Sequence, residues 1–251
     1  MKPRRILHTA PSLSMGGTEK VMQLFVMHLD PRKYSPAVWS PSSGPRGALI
    51  AEAGIPVFVG GSLENTAMRF APDIVHVHRA GWPQPETLRP LRASFRPDPE
   101  RPERRLPRII ETNVFGRRDP SHLSRLIDTT LFVSRFCAQR FEKVEGLPVV
   151  PPRYNVLYNP VDTDLFAELA PAPACRDYSR PVFGRISRPD PKKWSMLALE
   201  SLPLVREQIP GFIFLVVGGT REARSFVEEN GLNRNVRSYD RARSRTHGRH
   251  S

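Results

Sequence analysis

The strongest constraint on the fold is a strand-helix-strand pattern in residues 181–219. Residues 181–186 form a short apolar run, and residues 194–209 place apolar side chains at helical spacing before a Pro-Gly pair ends the helix. Phe212–Val217 is a near-continuous run of β-branched and aromatic residues, the pattern of a strand buried on both faces. Two strands joined through a helix predict a parallel sheet, and therefore an α/β fold.

Glycines and basic residues flank the elements of this unit. They lie at the end of the first strand, just before the helix and at the end of the second strand: Gly184, Arg185, Lys192, Lys193, Gly218 and Gly219. Ligands of open parallel sheets bind at the carboxyl ends of the strands, and a helix amino terminus favours an anion. The pattern therefore favours a diphosphate ligand. The alternative is that the two lysines are solvated residues of a surface loop.

A similar pattern opens the chain. Arg5–Thr9 is predicted as a strand, Gly16 and Gly17 lie in the following loop, and Thr18 is the predicted cap of a helix over Glu19–Leu29. A glycine loop between a strand and a helix brings backbone N–H groups close to a phosphate or a sugar. A Gly-Gly pair by itself also fits a simple tight turn.

Two histidines lie on the next clear strand, Asp73–His78. Because side chains alternate along a strand, His76 and His78 share one face. Such a pair can bind a metal ion, but no third ligand is evident nearby in the sequence, so we assign no metal. We interpret His76 as a packed, hydrogen-bonded side chain.

Composition limits the protein class. The 251 residues are 39% hydrophobic and 25% charged, which is typical of a soluble globular protein with a core. The net charge of +13 implies acidic partners, such as nucleotide phosphates, anionic lipid or nucleic acid. Two cysteines make no disulfide framework. With neither a signal-peptide core nor an apolar run of transmembrane length, we expect a cytoplasmic protein, with peripheral contact at the inner membrane face left open.

The remaining patterns complete the expected domain plan. Further strands are predicted at residues 37–39, 57–59, 108–112, 130–133, 155–158 and 236–239. Further helices are predicted at 48–53, at 135–144 with Ser134 as its cap, and at 221–230. We expect a first Rossmann-like domain at 1–165, a linker at 166–180, a second domain at 181–240 and a disordered basic tail at 241–251. The proline-rich, charged segment at 96–107 is predicted to be a loop.

The order of these motifs resembles glycosyltransferase family 4, whose members are retaining enzymes with the GT-B fold. The resemblance rests on the Gly-Arg pair, the lysine before the long helix, a Val-Gly strand end, a Gly-Gly-x-Glu loop and an Asn-x-Val-Asp hinge: Gly184-Arg185, Lys193, Val217-Gly218, Gly16-Gly17-Thr18-Glu19 and Asn159-Pro160-Val161-Asp162. This chain departs from the family pattern at Trp194 and Pro160, where the family has glycine.

The resemblance implies two Rossmann-like lobes facing a cleft and hexosyl transfer from a nucleotide-sugar donor to an acceptor hydroxyl, with retention. It implies no metal and no other cofactor. Arg185 and Lys193, or Lys192 in its place, would neutralise the leaving diphosphate, and the Gly16-Gly17 loop would lie opposite the donor phosphates. The acceptor would be a sugar, a lipid-linked group or a polysaccharide, and no specific nucleic acid is expected.

The resemblance leaves the catalytic base open. It places His78 at the carboxyl end of its strand, facing the cleft. Asn113 lies at or next to the position where the family often has a histidine, and asparagine can bind a sugar hydroxyl but cannot take a proton at neutral pH. Glu111 is the other nearby candidate.

The match to the family ends near Tyr239, before the family's further acidic motif, so the resemblance implies a second domain that is truncated and a chain with little or no activity. The alternatives are a non-catalytic remnant that binds a nucleotide or a partner, a GT-B epimerase, and a polyanion-binding protein.

Overall fold

The computed structural model describes residues 2–79, 85–94, 106–169, 180–187, 189–190 and 194–239. The chain divides into two compact units, Met1–Glu168 and Leu169–Ser251. Lys192, Lys193, the tail at 241–251 and the segment at 95–105 lie outside the described residues, so the predictions made for them stay predictions.

A seven-stranded parallel sheet forms the centre of the first unit. Its strands are β1 (Arg4–Thr9), β2 (Tyr34–Ser40), β3 (Val57–Val59), β4 (Ile74–Arg79), β5 (Arg108–Asn113), β6 (Thr129–Phe132) and β7 (Tyr154–Val156). Their order is β3-β2-β1-β4-β5-β6-β7, and every neighbouring pair is parallel. The chain builds outward from β1 on one side and then returns to continue from β1 on the other. The gap between the carboxyl ends of β1 and β4 is therefore the switch point at which α/β proteins bind ligands.

Helices cover both faces of this sheet. They are α1 (Gly17–His28), α2 (Pro45–Glu52), α3 (Leu63–Phe70), α4 (Pro85–Ser94) and α5 (Arg135–Glu145), with a 3₁₀ helix at His122–Leu126. A further helix, α6 (Thr163–Leu169), follows β7 and is mainly exposed. Ser134 caps α5 as its sequence position suggests, since its hydroxyl accepts from the backbone N–H of Cys137. The predicted cap at Thr18 is wrong: α1 begins at Gly17, and Gly16 occupies the cap position without a side-chain bond.

Alternation along the strands divides the core into layers. Leu7, Val75 and Val77 point to the face under α3 and α4, where they join one apolar cluster with Ala67 and Leu88. On the opposite face, α1 and α2 cover a second cluster: Ala10, Leu13, Met22, Val26, Val38 and Ile50. Burial of each large apolar side chain contributes about 1.5–3 kcal/mol, so both helical layers are held mainly by these contacts.

The second unit contains a three-stranded parallel sheet in the order β10-β9-β8. Its elements are β8 (Val182–Ile186), α7 (Leu197–Glu200), α8 (Leu202–Gln208), β9 (Ile213–Val217), α9 (Arg221–Glu229) and β10 (Val236–Tyr239). The single helix predicted over 194–209 is wrong, because Ser201 ends α7 and begins α8. Pro203 lies in the first turn of α8, where its missing N–H is tolerated; inside one long helix it would remove a hydrogen bond and clash with the preceding turn.

Candidate functional site

A cavity of about 260 Å³ opens at the switch point of the first sheet. Its lining comes from the carboxyl ends of β1, β2 and β4 and from α3 and α4: Thr9, Ala10, Pro11, Trp39, Pro41, Leu63, Val77, His78, Thr87 and Pro90. Most of these residues are apolar, with Thr9, Thr87 and His78 among them as polar groups. A cavity of this kind suits a small ligand that carries an apolar portion.

The amino terminus of α1 lies in the loop that follows β1. The first three N–H groups of a helix have no partner within it, and its amino end carries partial positive charge, so this end favours an anion. A Cβ atom at Gly17 would have no neighbour within 4 Å, which leaves open space beside the first helical residue.

Side-chain hydrogen bonds hold the loop between β1 and α1 in place. Arg46 donates through Nη1 to Oε1 of Gln23 at 2.7 Å and through Nη2 to the carbonyl of Gly16 at 3.4 Å. Ser12 donates to Oε1 of Glu19 at 2.9 Å. Burial, followed by repulsion from Arg46, lowers the pKa of Lys20 in the first turn of α1. These contacts hold the loop in place, and they bring the basic groups of Arg46 and Lys20 together with the carboxyl group of Glu19 near the helix end.

Three histidines lie together on the face of the sheet covered by α1. His8 and His76 are register partners on β1 and β4, and His78 follows on the same face. Ring centroids of His76 and His78 are 4.1 Å apart, and His8 lies 5.1 and 5.4 Å from them. Nδ1 of His8 and Nε2 of His78 share a hydrogen bond of 3.1 Å, and Nε2 of His76 bonds Oγ1 of Thr112 at 2.8 Å. His8 is thus the third histidine that the sequence did not make evident.

All three rings are buried, and burial disfavours the imidazolium form. It lowers the pKa of His76 to about 4. The pKa values of His8 and His78 lie well below their usual range, mainly through burial and then through repulsion from the neighbouring histidines. The cluster is therefore neutral at pH 7, and His78 is a weak base in this state.

An ionic cluster occupies the opposite face of the same sheet. Arg79 is 1% exposed and donates through Nε to Oε2 of Glu111 at 2.8 Å and through Nη1 to Oδ2 of Asp119 at 2.5 Å. Thr130 donates to the other oxygen of Glu111, and the backbone N–H of Ser121 donates to the other oxygen of Asp119. Glu111, one of the candidate bases, is thus engaged in a buried ion pair.

Asn113 ends β5 next to Arg79 in the register. Its Nδ2 donates to the carbonyl of Arg117 at 2.8 Å, and its Oδ1 accepts from the N–H of Gly116 at 2.9 Å. The left-handed backbone of Gly116, at φ +60°, and the nearby backbone of Cys137 leave no room for a side chain at this turn. Asn113 therefore shapes the loop at the carboxyl end of β5.

In the second unit, Arg185 lies near the end of β8 and contacts the residues that begin the helical segment. Its guanidinium carbon lies 5.1 Å from the ring centroid of Trp194, and Nη1 donates to the carbonyl of Ser195 at 3.2 Å. Trp194 is buried and occupies the position where the resembled family has glycine. The indole face and the carbonyl of Ser195 thereby orient the guanidinium at the start of the helical segment.

The three predicted glycines of the second unit lie where backbone segments approach closely. A side chain at Gly184 would meet the carbonyl of Leu215 on β9, and one at Gly218 would meet the carbonyl of Ser187. Gly218 also has a left-handed backbone, at φ +73°. A Cβ at Gly219 would lie 2.6 Å from Cγ1 of Val216. These glycines allow close packing at the carboxyl edge of the small sheet.

No protein-family model matches the sequence, and no curated protein matches it. Solved structures do match its fold. The lipopolysaccharide outer core galactosyltransferase WaaB in its apo form is 14% identical, with a TM-score of 0.59 over 94% of this chain and 68% of that one. An alpha-glucosyltransferase in complex with UDP and a DNA 13-mer containing a HMU base is 14% identical, with a TM-score of 0.55 over 96% of this chain and 68% of that one.

A third similar structure is the UDP-GlcNAc 2-epimerase from Neisseria meningitidis bound to UDP-GlcNAc, at 11% identity and a TM-score of 0.51 over 94% of this chain and 72% of that one. Together with the two parallel sheets, these likenesses define the class: the chain is an α/β protein with a GT-B-like fold. None of the helices in the described part of the chain combines the length and hydrophobicity that a membrane span requires.

Proposed function

We propose that this protein is a glycosyltransferase similar to family 4, which moves a hexosyl group from a nucleotide-sugar to an acceptor hydroxyl with retention. The observation that carries the proposal is the pairing, in the first unit, of an uncapped α1 amino terminus with a cavity at the sheet's switch point. Similar folds have been solved with UDP or UDP-GlcNAc bound, which supports a nucleotide-sugar as the donor.

Transfer requires that the negative charge of the departing diphosphate be neutralised. Arg185, oriented by Trp194, would supply one fixed cation. Lys192 or Lys193 would supply a second. This set of donors would support the charge without a metal ion at the phosphates.

The cavity favours an acceptor in which the hydroxyl is joined to an apolar group, such as a lipid-linked acceptor, because its walls are mainly apolar. Within the described part of the chain, none of the three candidate side chains is a prepared base. Asn113 cannot take a proton, Glu111 pairs with Arg79, and burial holds the pKa of His78 well below its usual range, which makes its imidazole a weak base. We therefore propose that the departing phosphate, on the same face as the attacking hydroxyl, takes the proton.

The donor site is tested by calorimetry with UDP and GDP. Changing Arg185 to Ala should weaken diphosphate binding by about 1.5–3 kcal/mol, the range for a lost charge-assisted hydrogen bond. Arg234→Ala is the matched control, because Arg234 is an exposed arginine that precedes β10 at the opposite end of the sheet. An unchanged affinity in Arg185→Ala would contradict the assignment.

Epimerisation is the second candidate, since a UDP-GlcNAc 2-epimerase has a similar fold. The two activities differ in their need for an acceptor. A panel of nucleotide-sugars with and without lipid-linked and saccharide acceptors, followed by chromatography, separates them. Nucleotide release that depends on an acceptor supports transfer, whereas isomerised nucleotide-sugar formed without an acceptor supports the epimerase.

A further inference from the structure

We propose that His8, His76 and His78 form a binding site for one divalent transition-metal ion beneath helix α1. The three residues come from neighbouring strands of the parallel sheet and are all buried. One ligand nitrogen from each ring lies within 4.8 Å of the other two. The site belongs to the first unit alone and does not depend on the proposed sugar transfer.

The distances between nitrogens fit one shared ion. Imidazole nitrogens bind zinc at about 2.0–2.1 Å, so two of them on a tetrahedral ion lie roughly 3.3 Å apart. Nδ1 of His8 and Nε2 of His78 are 3.1 Å apart. A small rotation of either ring would break their hydrogen bond and let both nitrogens bind the same metal ion.

His76 has the outer contact that a ligating histidine needs. Its Nε2 bonds Oγ1 of Thr112 at 2.8 Å, which fixes the ring and leaves Nδ1 as the ligand atom. Metal-binding histidines commonly use their second nitrogen in this way. Thr112 is itself buried on β5, so the contact is rigid.

The described residues do not complete this cluster by themselves. Nε2 of His8 and Nδ1 of His78 are buried, and neither has a hydrogen-bond partner among the described residues. Buried polar atoms in folded proteins are nearly always paired, with protein groups, water or ions. These two nitrogens are the second nitrogens of rings whose other nitrogens would bind the ion, so each would still need a further partner, such as a buried water.

The ligand set selects the class of metal. Three imidazoles suit zinc, cobalt, nickel or copper, whereas magnesium and calcium prefer oxygen ligands. Phe25 of α1 packs beside the cluster, with ring centroids 5.8 Å from His76 and 6.1 Å from His78, and forms an apolar wall. His78 also lines the switch-point cavity.

The test uses the full chain, without an added histidine tag, stripped with chelator and then titrated with Co²⁺ and Zn²⁺. We expect one equivalent of Co²⁺ to bind with the visible absorption of a tetrahedral site, and Zn²⁺ to displace it. Each of His8→Gln, His76→Gln and His78→Gln should abolish the absorption. His28→Gln, which changes an exposed histidine on α1, should leave it intact.

Thr112→Val keeps all three ligands and provides a milder variant in case a histidine variant fails to fold. Loss of an outer contact of this kind weakens metal binding about 10–100-fold, and we expect that range for Zn²⁺ here. Absence of Co²⁺ absorption in the folded wild type would overturn the proposal. So would a Co²⁺ spectrum that is lost in His28→Gln but kept in the three cluster variants.

Discussion

Strand β4 sends two different polar clusters to the two faces of one sheet. His76 and His78 point under α1, where they join His8, while Arg79 points to the other face and pairs with Glu111 and Asp119. The first cluster is neutral, and two of its nitrogens lack a partner among the residues that the structure describes; the second is charged and closely paired. Burying an unpaired charge costs far more free energy than burying an unpaired neutral ring. The charges of Arg79, Glu111 and Asp119 are therefore paired with one another, whereas the histidine cluster is able to accept a ligand.

Removing the arginine should have the largest effect on stability. Arg79→Met keeps the length of the side chain but leaves two buried carboxylates without their cation. Breaking a buried pair in this way costs about 3–5 kcal/mol, so we expect a loss of that size in the free energy of unfolding. Urea unfolding of the wild type and the variant measures it. A loss below about 1 kcal/mol would show that the two clusters do not differ in the way described.

Changing the neutral cluster should cost less. His76→Leu removes the partner of the buried Thr112 hydroxyl, and an unsatisfied buried hydroxyl costs about 1–3 kcal/mol. Because Thr112→Val removes that hydroxyl, the double variant should be more stable than the two single losses predict. Urea unfolding in chelator gives the four stabilities of this cycle. Strictly additive losses would mean that the hydrogen bond between the two residues is not the cause.

Lowering the pH should reduce the stability that the ionic cluster contributes. Burial opposes ionisation of Asp119, but the N–H of Ser121 and the Arg79 guanidinium outweigh it and hold its pKa below the usual 3.8. Below pH 3.8 the unfolded chain takes up a proton that the folded chain does not, so this stabilisation is present above that pH and is lost as the pH falls further. The slope from this carboxyl is at most about 1.4 kcal/mol per pH unit.

Asp119→Asn removes the titrating carboxyl and provides the control for this effect. The stability difference between wild type and Asp119→Asn should shrink as the pH falls from about 4 towards 3. Urea unfolding at closely spaced pH values measures the difference. A difference that stays constant across this range would contradict the assignment.

The smallest effect is expected at an exposed ion pair. Arg32 donates to Asp30 at 3.0 Å, but its side chain is 88% exposed. Exposed pairs contribute little, so Arg32→Ala should barely change the free energy of unfolding, and 1 M salt should remove most of the difference. A loss as large as that of Arg79→Met would show that burial is not what distinguishes the two arginines.

The amino-acid sequence determined much of the local structure. The strand of buried apolar residues at β9, the histidine strand at β4 and the Ser134 cap of α5 all follow from short-range periodicity and side-chain chemistry. Several predicted element ends differ from the observed ones, and α3 and α4 were not predicted. The helix break at Ser201 was visible in principle, because Pro203 is a strong local signal.

Only the tertiary structure decided which of these elements are neighbours. His8 meets His76 because β4 returns beside β1, a choice of strand order that no local pattern contains. Arg79 reaches Asp119 across 40 positions of sequence for the same reason. Local sequence specifies the direction of a side chain within its strand, whereas the packing of whole strands and helices decides what that side chain meets.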